Sequence, residues 1–157
     1  MAYNEKDLRS KAEAYLKAER EPVFRTEVEA ELARGDWEAL FDRFYTSLSF
    51  GTAGMRGIIG GGTNRMNSYM VRKVTQGLSE YLMTASANPS VVIAYDSRNF
   101  SELFAMEAAL VLAANGVSVY LYQTLHPVPM LSFAVRYLQT TAGIVITASH
   151  NPAKYNG

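Results

Sequence analysis

The segment Thr147–Gly157 carries the residues best suited to chemistry. Its sequence, TASHNPAKYNG, places Ser149 directly after an apolar run, with the donors His150, Asn151 and Lys154 around it. A serine hydroxyl in such a loop can act as a nucleophile once a base, a metal or a donor phosphate activates it. The acyl-hydrolase motif G-x-S-x-G is absent, and an adjacent Ser–His pair does not make a triad. The alternative is a simple turn, because Ser, Asn and Pro favour turns for conformational reasons.

A second candidate is the glycine-rich segment 50–67, FGTAGMRGIIGGGTNRMN, which holds more than half of the chain's 11 glycines. Arg56 at its centre could bind a phosphate bidentately, helped by neighbouring backbone N–H groups. The segment contains no P-loop motif, and it departs from the dinucleotide fingerprint because Arg65 stands where the last glycine belongs. The alternative is a hairpin whose glycines only form turns.

Two smaller features follow predicted strands. The turn Asp96-Ser97-Arg98 could position a substrate, but we favour an ion pair and a cap for the helix near Ser101. His126, between Leu125 and Pro127, is interpreted as a packed loop residue rather than a ligand.

Composition excludes several classes of function. Lys+Arg and Asp+Glu are 15 each, so the net charge is zero and the basic surface of a nucleic-acid binder is not expected. The chain has no cysteine, which excludes disulfides, thiolate nucleophiles and Cys-ligated zinc. The first twenty residues are too charged for a signal peptide, and the most apolar stretch, 103–114, is too short to span a membrane. We therefore predict a cytoplasmic protein with neither a nucleic-acid nor a membrane partner.

Residues 1–48 are predicted to form a helical segment that precedes a domain over residues 49–157. Asn4 can cap a first helix, Glu21-Pro22 breaks it, Gly35 ends a second helix, and Asp36 caps a third. The apolar stripe of the third helix predicts packing against the core. That stripe comprises Trp37, Leu40, Phe41, Phe44 and Leu48.

The remainder alternates helix and strand. A helix is predicted from Ser68, followed by three short β-branched runs that are typical of buried strands, with crossover helices over about 102–114 and 130–138 between them. The strands are Val91–Tyr95, Val117–Leu121 and Gly143–Thr147. The predicted fold class is α/β, an open and largely parallel sheet with crossover helices, preceded by the helical segment. Ligands of such sheets bind beyond the carboxyl ends of the strands, where the polar loops gather.

Two motifs in this order resemble the α-D-phosphohexomutase family, which includes phosphoglucomutases and phosphomannomutases. They are FGTAGMRG, residues 50–57, and TASHNPAKYNG, residues 147–157; the segment YDSR, residues 95–98, also matches a recurrent family segment. The match covers the family's first domain. The upstream sequence RFYTSLSFGTAGMRG is most similar to the phosphoglucomutase-2 and phosphopentomutase branch. The loop LHPVP, residues 125–129, differs from the Thr-Pro-Thr-Pro type sequence of many members.

The resemblance implies an isomerase that works as an intramolecular phosphotransferase of sugar phosphates. Ser149 would carry a phosphoryl group and pass it to a sugar monophosphate through a bisphosphate intermediate, so that phosphate moves between C1 and C6 of a hexose or C5 of a pentose. Thr52, Arg56 and Asn151 would contact substrate, and His150 would belong to the catalytic loop. Implied cofactors are Mg²⁺, bound through the phosphoryl group of Ser149, and a glucose-1,6-bisphosphate-type activator.

The family's acidic metal loop, of the Asp-Gly-Asp-x-Asp-Arg type, does not occur in these residues. We therefore expect an amino-terminal part of a longer mutase, truncated after the catalytic loop and inactive alone. Its partners would be the remaining domains, which would supply the other metal ligands, and the sugar phosphate. The alternative is a non-catalytic module of the same fold that binds a phosphosugar or another protein.

Overall fold

The three helices at the amino terminus begin where the capping pattern predicts, and the second also ends there, at Gly35. A computed structural model describes residues 3–52 and 54–157 of the chain. In it, α1 spans Glu5–Ala18, α2 spans Pro22–Arg34 and α3 spans Trp37–Phe44. The Asn4 side chain accepts hydrogen bonds from the first turn of α1, and Gly35 ends α2 at φ 65°. Local capping chemistry thus sets these boundaries.

The three helices bury one shared apolar cluster, formed by Leu8, Ala12, Tyr15, Val28, Leu40 and Phe44. The prediction for Leu48 was wrong, because α3 ends at Phe44. The backbone N–H of Leu48 instead donates to the carbonyl of Thr63 at 2.9 Å. The apolar spacing therefore continues beyond Phe44, where the helix ends.

The chain divides into two compact units. The first comprises Met1–Met70 with Gly157, and the second comprises Val71–Asn156. In the first unit the helices are followed by the short strand β1, Gly57–Ile58. Helix α4, Ser68–Ala85, begins in the first unit, and its residues from Val71 onward belong to the second. The predicted boundary between residues 48 and 49 stays a prediction.

The second unit contains a parallel sheet. Its strands are β2 (Ser90–Tyr95), β3 (Ser118–Leu121) and β4 (Ala142–Ile146), connected by α5 (Ser101–Ala114) and α6 (Val128–Tyr137). The order is β3-β2-β4, with Ile93 opposite both Leu121 and Ile144. A last short strand, β5, spans Tyr155–Asn156. The predicted α/β class with parallel strands and crossover helices is confirmed.

Both faces of the central strand β2 are covered. Every residue from Val91 to Tyr95 is buried, and Val92 and Ala94 pack with Leu131 and Ala134 of α6. Because side chains alternate along a strand, Val91 and Ile93 face the opposite layer. The second connection passes from β3 back across β2 to β4, so the loops after β2 and β4 leave neighbouring strands at the same carboxyl edge.

Candidate functional site

Ser149 lies three residues after the end of β4, in a turn whose backbone is unusual for serine. Its φ is 52°, in the left-handed region that residues with a side chain rarely adopt. The residue is exposed, and its Oγ lies 3.2 Å from Nδ1 of His150, also exposed. The turn is closed by a hydrogen bond of 3.0 Å from the N–H of Asn151 to the carbonyl of Ala148. The structure thus presents a hydroxyl to solvent at the sheet edge, next to an imidazole.

The backbone N–H of Ser149 is held through Thr147 to the loop after β2. It donates to Oγ1 of Thr147 at 2.9 Å, and that hydroxyl donates to Oδ2 of Asp96 at 2.6 Å. The other carboxylate oxygen of Asp96 accepts from the N–H of Arg98 at 3.0 Å and from the Ser101 hydroxyl at 2.9 Å. One carboxylate therefore connects the turn after β2, the first residue of α5 and the turn that holds Ser149.

The side chain of Arg98 holds the other side of the same loop, through backbone carbonyls. Nη2 donates to the carbonyl oxygens of Ser149 and Asn151, and Nη1 donates to those of Pro152 and Tyr155 at 3.2 and 3.1 Å. The Arg98 side chain is 14% exposed, and its Nε lies 3.8 Å from Oδ2 of Asp96. The N–H groups on Nη1 and Nη2 thus all donate hydrogen bonds to carbonyls of the 149–155 loop.

The far end of the loop is anchored by Asn156, which is fully buried. Its Nδ2 donates to the carbonyl of Asn99 at 3.0 Å and to Oγ of Ser101 at 2.9 Å. The favoured interpretation of Asp96-Ser97-Arg98 needs one correction. Asp96 and Arg98 lie close, but the N-cap of α5 is Phe100, at φ 65° and without a side-chain cap. The main contacts of Arg98 are with loop carbonyls, which sequence reasoning missed.

The glycine-rich segment lies in the first unit and is not a hairpin. Ile59 and Met66 form a parallel bridge, with hydrogen bonds from Met66 N to Ile58 O at 2.7 Å and from Gly60 N to Met66 O at 3.1 Å. A Cβ on Gly61 would meet the carbonyl oxygen of Phe24 at 2.3 Å. The hairpin interpretation is therefore wrong: Gly61 allows the close approach of two backbones.

The predicted phosphate-contacting residues of this unit are on the surface. Thr52 and Arg56 are both exposed, and Gly51 N donates to Gly54 O at 2.7 Å, which closes a turn that includes Thr52. Ala53 lies outside the described residues. Accessibility to solvent is what a phosphate-binding role for Thr52 and Arg56 would need, and that role stays a prediction. The second unit brings together Ser149, His150 and Asn151, while Thr52 and Arg56 belong to the first.

A charged cluster that the sequence did not indicate supports the glycine-rich segment. Arg43 donates from Nε to Glu31 Oε2 and from Nη1 to Glu27 Oε2, each at 2.8 Å, and also to the carbonyl of Gly61 at 2.8 Å. Burial lowers the pKa of Arg43, but its hydrogen bonds and charge pairing with Glu31 and Glu27 outweigh burial and leave that pKa raised. The cation is fixed in its charged form.

Three further features are His126, groups that could bind a metal ion, and helices that could span a membrane. His126 stacks on Tyr122 with ring centroids 4.1 Å apart, and its Nδ1 lies 2.7 Å from the carbonyl of Thr124, consistent with a packed loop residue. Within residues 3–52 and 54–157, no group of three His, Cys, Asp or Glu side chains could hold a metal ion. Among the helices in the described part of the chain, none is long and apolar enough to span a membrane.

The parallel sheet and the serine loop at its carboxyl edge define an α/β domain of the class that places its ligand site beyond the strand ends. Comparison with known proteins identifies which domain it is. Residues 47–157 match the family model described as phosphoglucomutase/phosphomannomutase, alpha/beta/alpha domain I. The chain therefore belongs to the phosphoglucomutase/phosphomannomutase family, as the resemblance of the two motifs predicted.

Individual relatives agree with this assignment. The chain is 51% identical over 114 residues to a phosphoglucomutase of Staphylococcus haemolyticus, covering 73% of this chain and 21% of that protein. It is 54% identical over 112 residues to a phosphoglucomutase of Staphylococcus epidermidis, covering 71% and 20%. A solved structure from Thermus thermophilus, provisionally named a phosphomannomutase, superimposes with a TM-score of 0.66 at 33% identity, covering 71% of this chain and 25% of that one. The chain spans about a fifth of the length of the curated relatives.

Proposed function

We infer that this chain is the phosphoserine-bearing first domain of a longer phosphosugar mutase, an isomerase that transfers a phosphoryl group within a sugar phosphate. The observation that carries this inference is the conformation of Ser149. Its hydroxyl is exposed at the carboxyl edge of the sheet, while its backbone, at φ 52°, is held through its N–H and its carbonyl. Strained backbone of this kind occurs preferentially at functional sites, where surrounding contacts maintain it.

The proposed reaction uses Ser149 twice. Phosphoserine donates its phosphoryl group to a free hydroxyl of a sugar monophosphate: the O–P bond to Ser149 breaks, an O–P bond to the sugar forms, and the proton of the sugar hydroxyl is transferred to the serine oxygen. The resulting bisphosphate turns over in the site. Its other phosphoryl group then passes to Ser149, the serine hydroxyl proton is transferred to the sugar oxygen that this group leaves, and the isomerised monophosphate dissociates. Phosphate thereby moves between C1 and C6 of a hexose, or C5 of a pentose.

The described residues suggest roles around this step. His150 Nδ1, at 3.2 Å from the Ser149 Oγ, can exchange a proton with that oxygen as the O–P bond breaks or forms. We propose that Asn151 contributes a polar side chain to the bound sugar phosphate, and that Thr52 and Arg56 bind its phosphate. A guanidinium can hold a phosphate through two parallel hydrogen bonds.

Magnesium is implied by the family, and these residues do not by themselves build its site. Mg²⁺ prefers six oxygen ligands in near-octahedral geometry, whereas this chain would offer one phosphoryl oxygen on Ser149 and, among the described residues, no cluster of carboxylates. We propose that the other ligands come from the remaining domains. When bound, the ion would stabilise the charge of the transferring phosphoryl group.

The finer assignments are proposals as well. We propose a cytoplasmic enzyme of the phosphoglucomutase-2 and phosphopentomutase branch, primed by a sugar bisphosphate such as glucose-1,6-bisphosphate. Because this chain corresponds to about a fifth of its relatives, we expect it to show no turnover of glucose-1-phosphate or ribose-1-phosphate when it is isolated, whereas the complete mutase is active.

The test is phosphorylation of the complete mutase chain by glucose-1,6-bisphosphate, followed by intact mass and peptide mapping. Wild type should gain one phosphoryl group on Ser149, and Ser149→Ala should gain none and lose turnover. Ser97→Ala is the matched control, because Ser97 is exposed on the neighbouring loop and should leave both unchanged. Binding of the bisphosphate without phosphorylation would instead indicate the non-catalytic module, and near-normal turnover by Ser149→Ala would refute the proposed role.

A further inference from the structure

Arg98 contacts the loop that holds Ser149 in an unusual way, because its acceptors are main-chain oxygens. Nη1 and Nη2 bind the carbonyls of Ser149, Asn151, Pro152 and Tyr155. A guanidinium has a planar, rigid fork of donors, so four acceptors bound to it lose most of their freedom to rotate. The side chain thus restricts the backbone of most of the loop at once.

The same contacts determine which groups the loop can offer to an anion. A carbonyl and the N–H of the same trans peptide point in opposite directions, and the described peptides are not cis. When the Ser149 carbonyl is bound to Arg98, the N–H of His150 points away from that guanidinium. Carbonyl dipoles would repel a phosphoryl dianion on Ser149. Because the partly buried Arg98 side chain binds these carbonyls, they are kept away from the phosphoryl group, which favours the phosphorylated form of Ser149.

Ser149 is held from both sides by the turn after β2. Its carbonyl is bound by Arg98, and its N–H is bound through Thr147 to Asp96. The left-handed φ of 52° is unfavourable for a residue with a Cβ, so the conformation persists only where other contacts maintain it. Loss of Arg98 would remove the hydrogen bond to the Ser149 carbonyl and leave the link from the Ser149 N–H through Thr147 to Asp96 in place.

We propose that Arg98 is a positioning residue for phosphoryl transfer at Ser149. It touches no reacting atom. It keeps the serine oxygen on the line of attack by fixing the backbone from the Ser149 carbonyl onward. This inference rests on the proposed mutase function. It predicts that loss of Arg98 slows transfer to and from Ser149 far more than it weakens binding of the sugar phosphate.

The test compares Arg98→Met and Arg98→Lys with wild type in the complete mutase chain. The primary measurement is the single-turnover rate of phosphoryl transfer from phosphorylated Ser149 to glucose-1-phosphate, with KM measured alongside. A displacement of about 1 Å can cost 10²-fold in rate, so Arg98→Met should lose about 100-fold in rate while KM changes less than about threefold. Arg98→Lys keeps the charge but lacks the planar set of donors of the guanidinium. Its transfer rate should lie between those of wild type and Arg98→Met.

A second measurement follows the loop itself. Exchange of the backbone amides of residues 149–151 and 153–155 should accelerate at least about tenfold in Arg98→Met and less in Arg98→Lys, with the amides of β2 and α5 unchanged. The matched control is Arg136→Met. Arg136 is an exposed arginine on α6 whose Nε donates to the Ser132 carbonyl of the previous turn, so its loss should leave transfer and loop exchange as in wild type.

The outcomes separate the two proposals. If wild-type Ser149 takes up no phosphoryl group, the proposed function fails, and loop exchange alone still tests the positioning role. If wild type is phosphorylated but Arg98→Met transfers at the wild-type rate, or if both arginine variants raise KM with an unchanged rate, the positioning role is refuted. Should Arg98→Met not fold, Arg98→Lys with wild-type exchange in the loop would refute it equally.

Discussion

The Nδ2 atom of Asn67 lies 2.7 Å from the carbonyl oxygen of Gly62 and also donates to that of Gly60 at 2.8 Å. The Oδ1 atom of the same amide accepts from the N–H of Met70 in the first turn of α4, at 3.0 Å. Asn67 is fully buried. A single side chain therefore closes the glycine turn and caps the helix that follows it.

Asn67→Asp separates these two functions. The acceptor for Met70 remains, but an aspartate oxygen replaces the Nδ2 donor and faces two carbonyls in a buried place. We expect the free energy of unfolding of the first unit to fall by about 3 kcal/mol, because two buried carbonyl acceptors are left unpaired and a charge is buried. Trp37, the single tryptophan of the chain, lies in α3 of this unit, so urea unfolding followed by its fluorescence reports the change.

The control for that variant is Asn64→Asp, since the Asn64 amide donates to the Asp42 carbonyl at an exposed site. It should cost about 1 kcal/mol or less. Equal losses in the two variants would contradict the role assigned to Asn67.

Gly61→Ala should destabilise the same unit through a steric clash. An added Cβ would meet the Phe24 carbonyl oxygen at 2.3 Å and Val28 Cγ2 at 2.7 Å. Backbone cannot yield as a flexible side chain does, so we expect a loss of about 2 kcal/mol or more. Gly77→Ala is the matched control: nothing lies within 4 Å of its added Cβ, and it occupies the exposed face of α4. Alanine there should stabilise the helix by up to about 1 kcal/mol. Far-UV circular dichroism during urea unfolding measures both, and a neutral Gly61→Ala would be inconsistent with the packing described.

Arg43→Met should be costly because it leaves acidic groups unpaired. Glu31 is only 7% exposed, and its carboxylate is paired with Arg43 at 2.8 Å. Removing one partner of a buried ion pair costs about 3 to 5 kcal/mol. The comparison is Lys11→Met, which removes the exposed i,i+4 pair between Lys11 and Asp7 and should cost about 1 kcal/mol or less. Tryptophan fluorescence in urea again gives both values, and similar losses would show that the Arg43 pair behaves as a surface pair.

The stability of the first unit should fall in alkaline solution because of Tyr15. Burial raises the pKa of the Tyr15 phenol well above its ordinary value of 10.0, and the charge of Glu19, which its hydroxyl contacts at 3.2 Å, raises it further. Below about pH 10 the phenol is protonated in both the folded and unfolded states. Above that pH the unfolded chain loses the proton and the folded chain keeps it, so the free energy of unfolding falls by up to about 1.4 kcal/mol per pH unit.

Tyr15→Phe removes this dependence. Urea unfolding midpoints measured at several pH values between about 9 and 11.5 should decline more steeply for wild type than for the variant. Parallel curves would mean that the phenol ionises as readily in the folded protein as in the unfolded chain.

Local patterns predicted the elements well because their determinants are local. Asn4 and Gly35 mark helix ends through their own backbone and side-chain chemistry, and the β-branched strand of residues 91–95 indicated burial on both faces. Leu48 shows the limit of periodicity. Its position continues the apolar spacing of α3, yet its N–H donates to the Thr63 carbonyl. That is a tertiary contact, which the spacing of residues cannot predict.

The supports of the candidate site were harder to predict, for a related reason. Arg43, Glu27 and Glu31 lie on two helices, and their pairing depends on how those helices pack. The acceptors of Arg98 are carbonyls, which every residue possesses and which no residue letter distinguishes. The serine motif was recognisable from its own letters. The turn Asp96-Ser97-Arg98 was also noted in the sequence, but its contacts with the serine loop were visible only in three dimensions.

The links from Asp96 and Arg98 to the serine loop have a practical consequence for protein engineering. The conformation of the loop depends on contacts with the turn Asp96-Ser97-Arg98, about fifty residues earlier in the chain. Grafting residues 147–156 onto another scaffold would therefore transfer the letters without the conformation, and a working transplant has to carry the Asp-Ser-Arg turn with it.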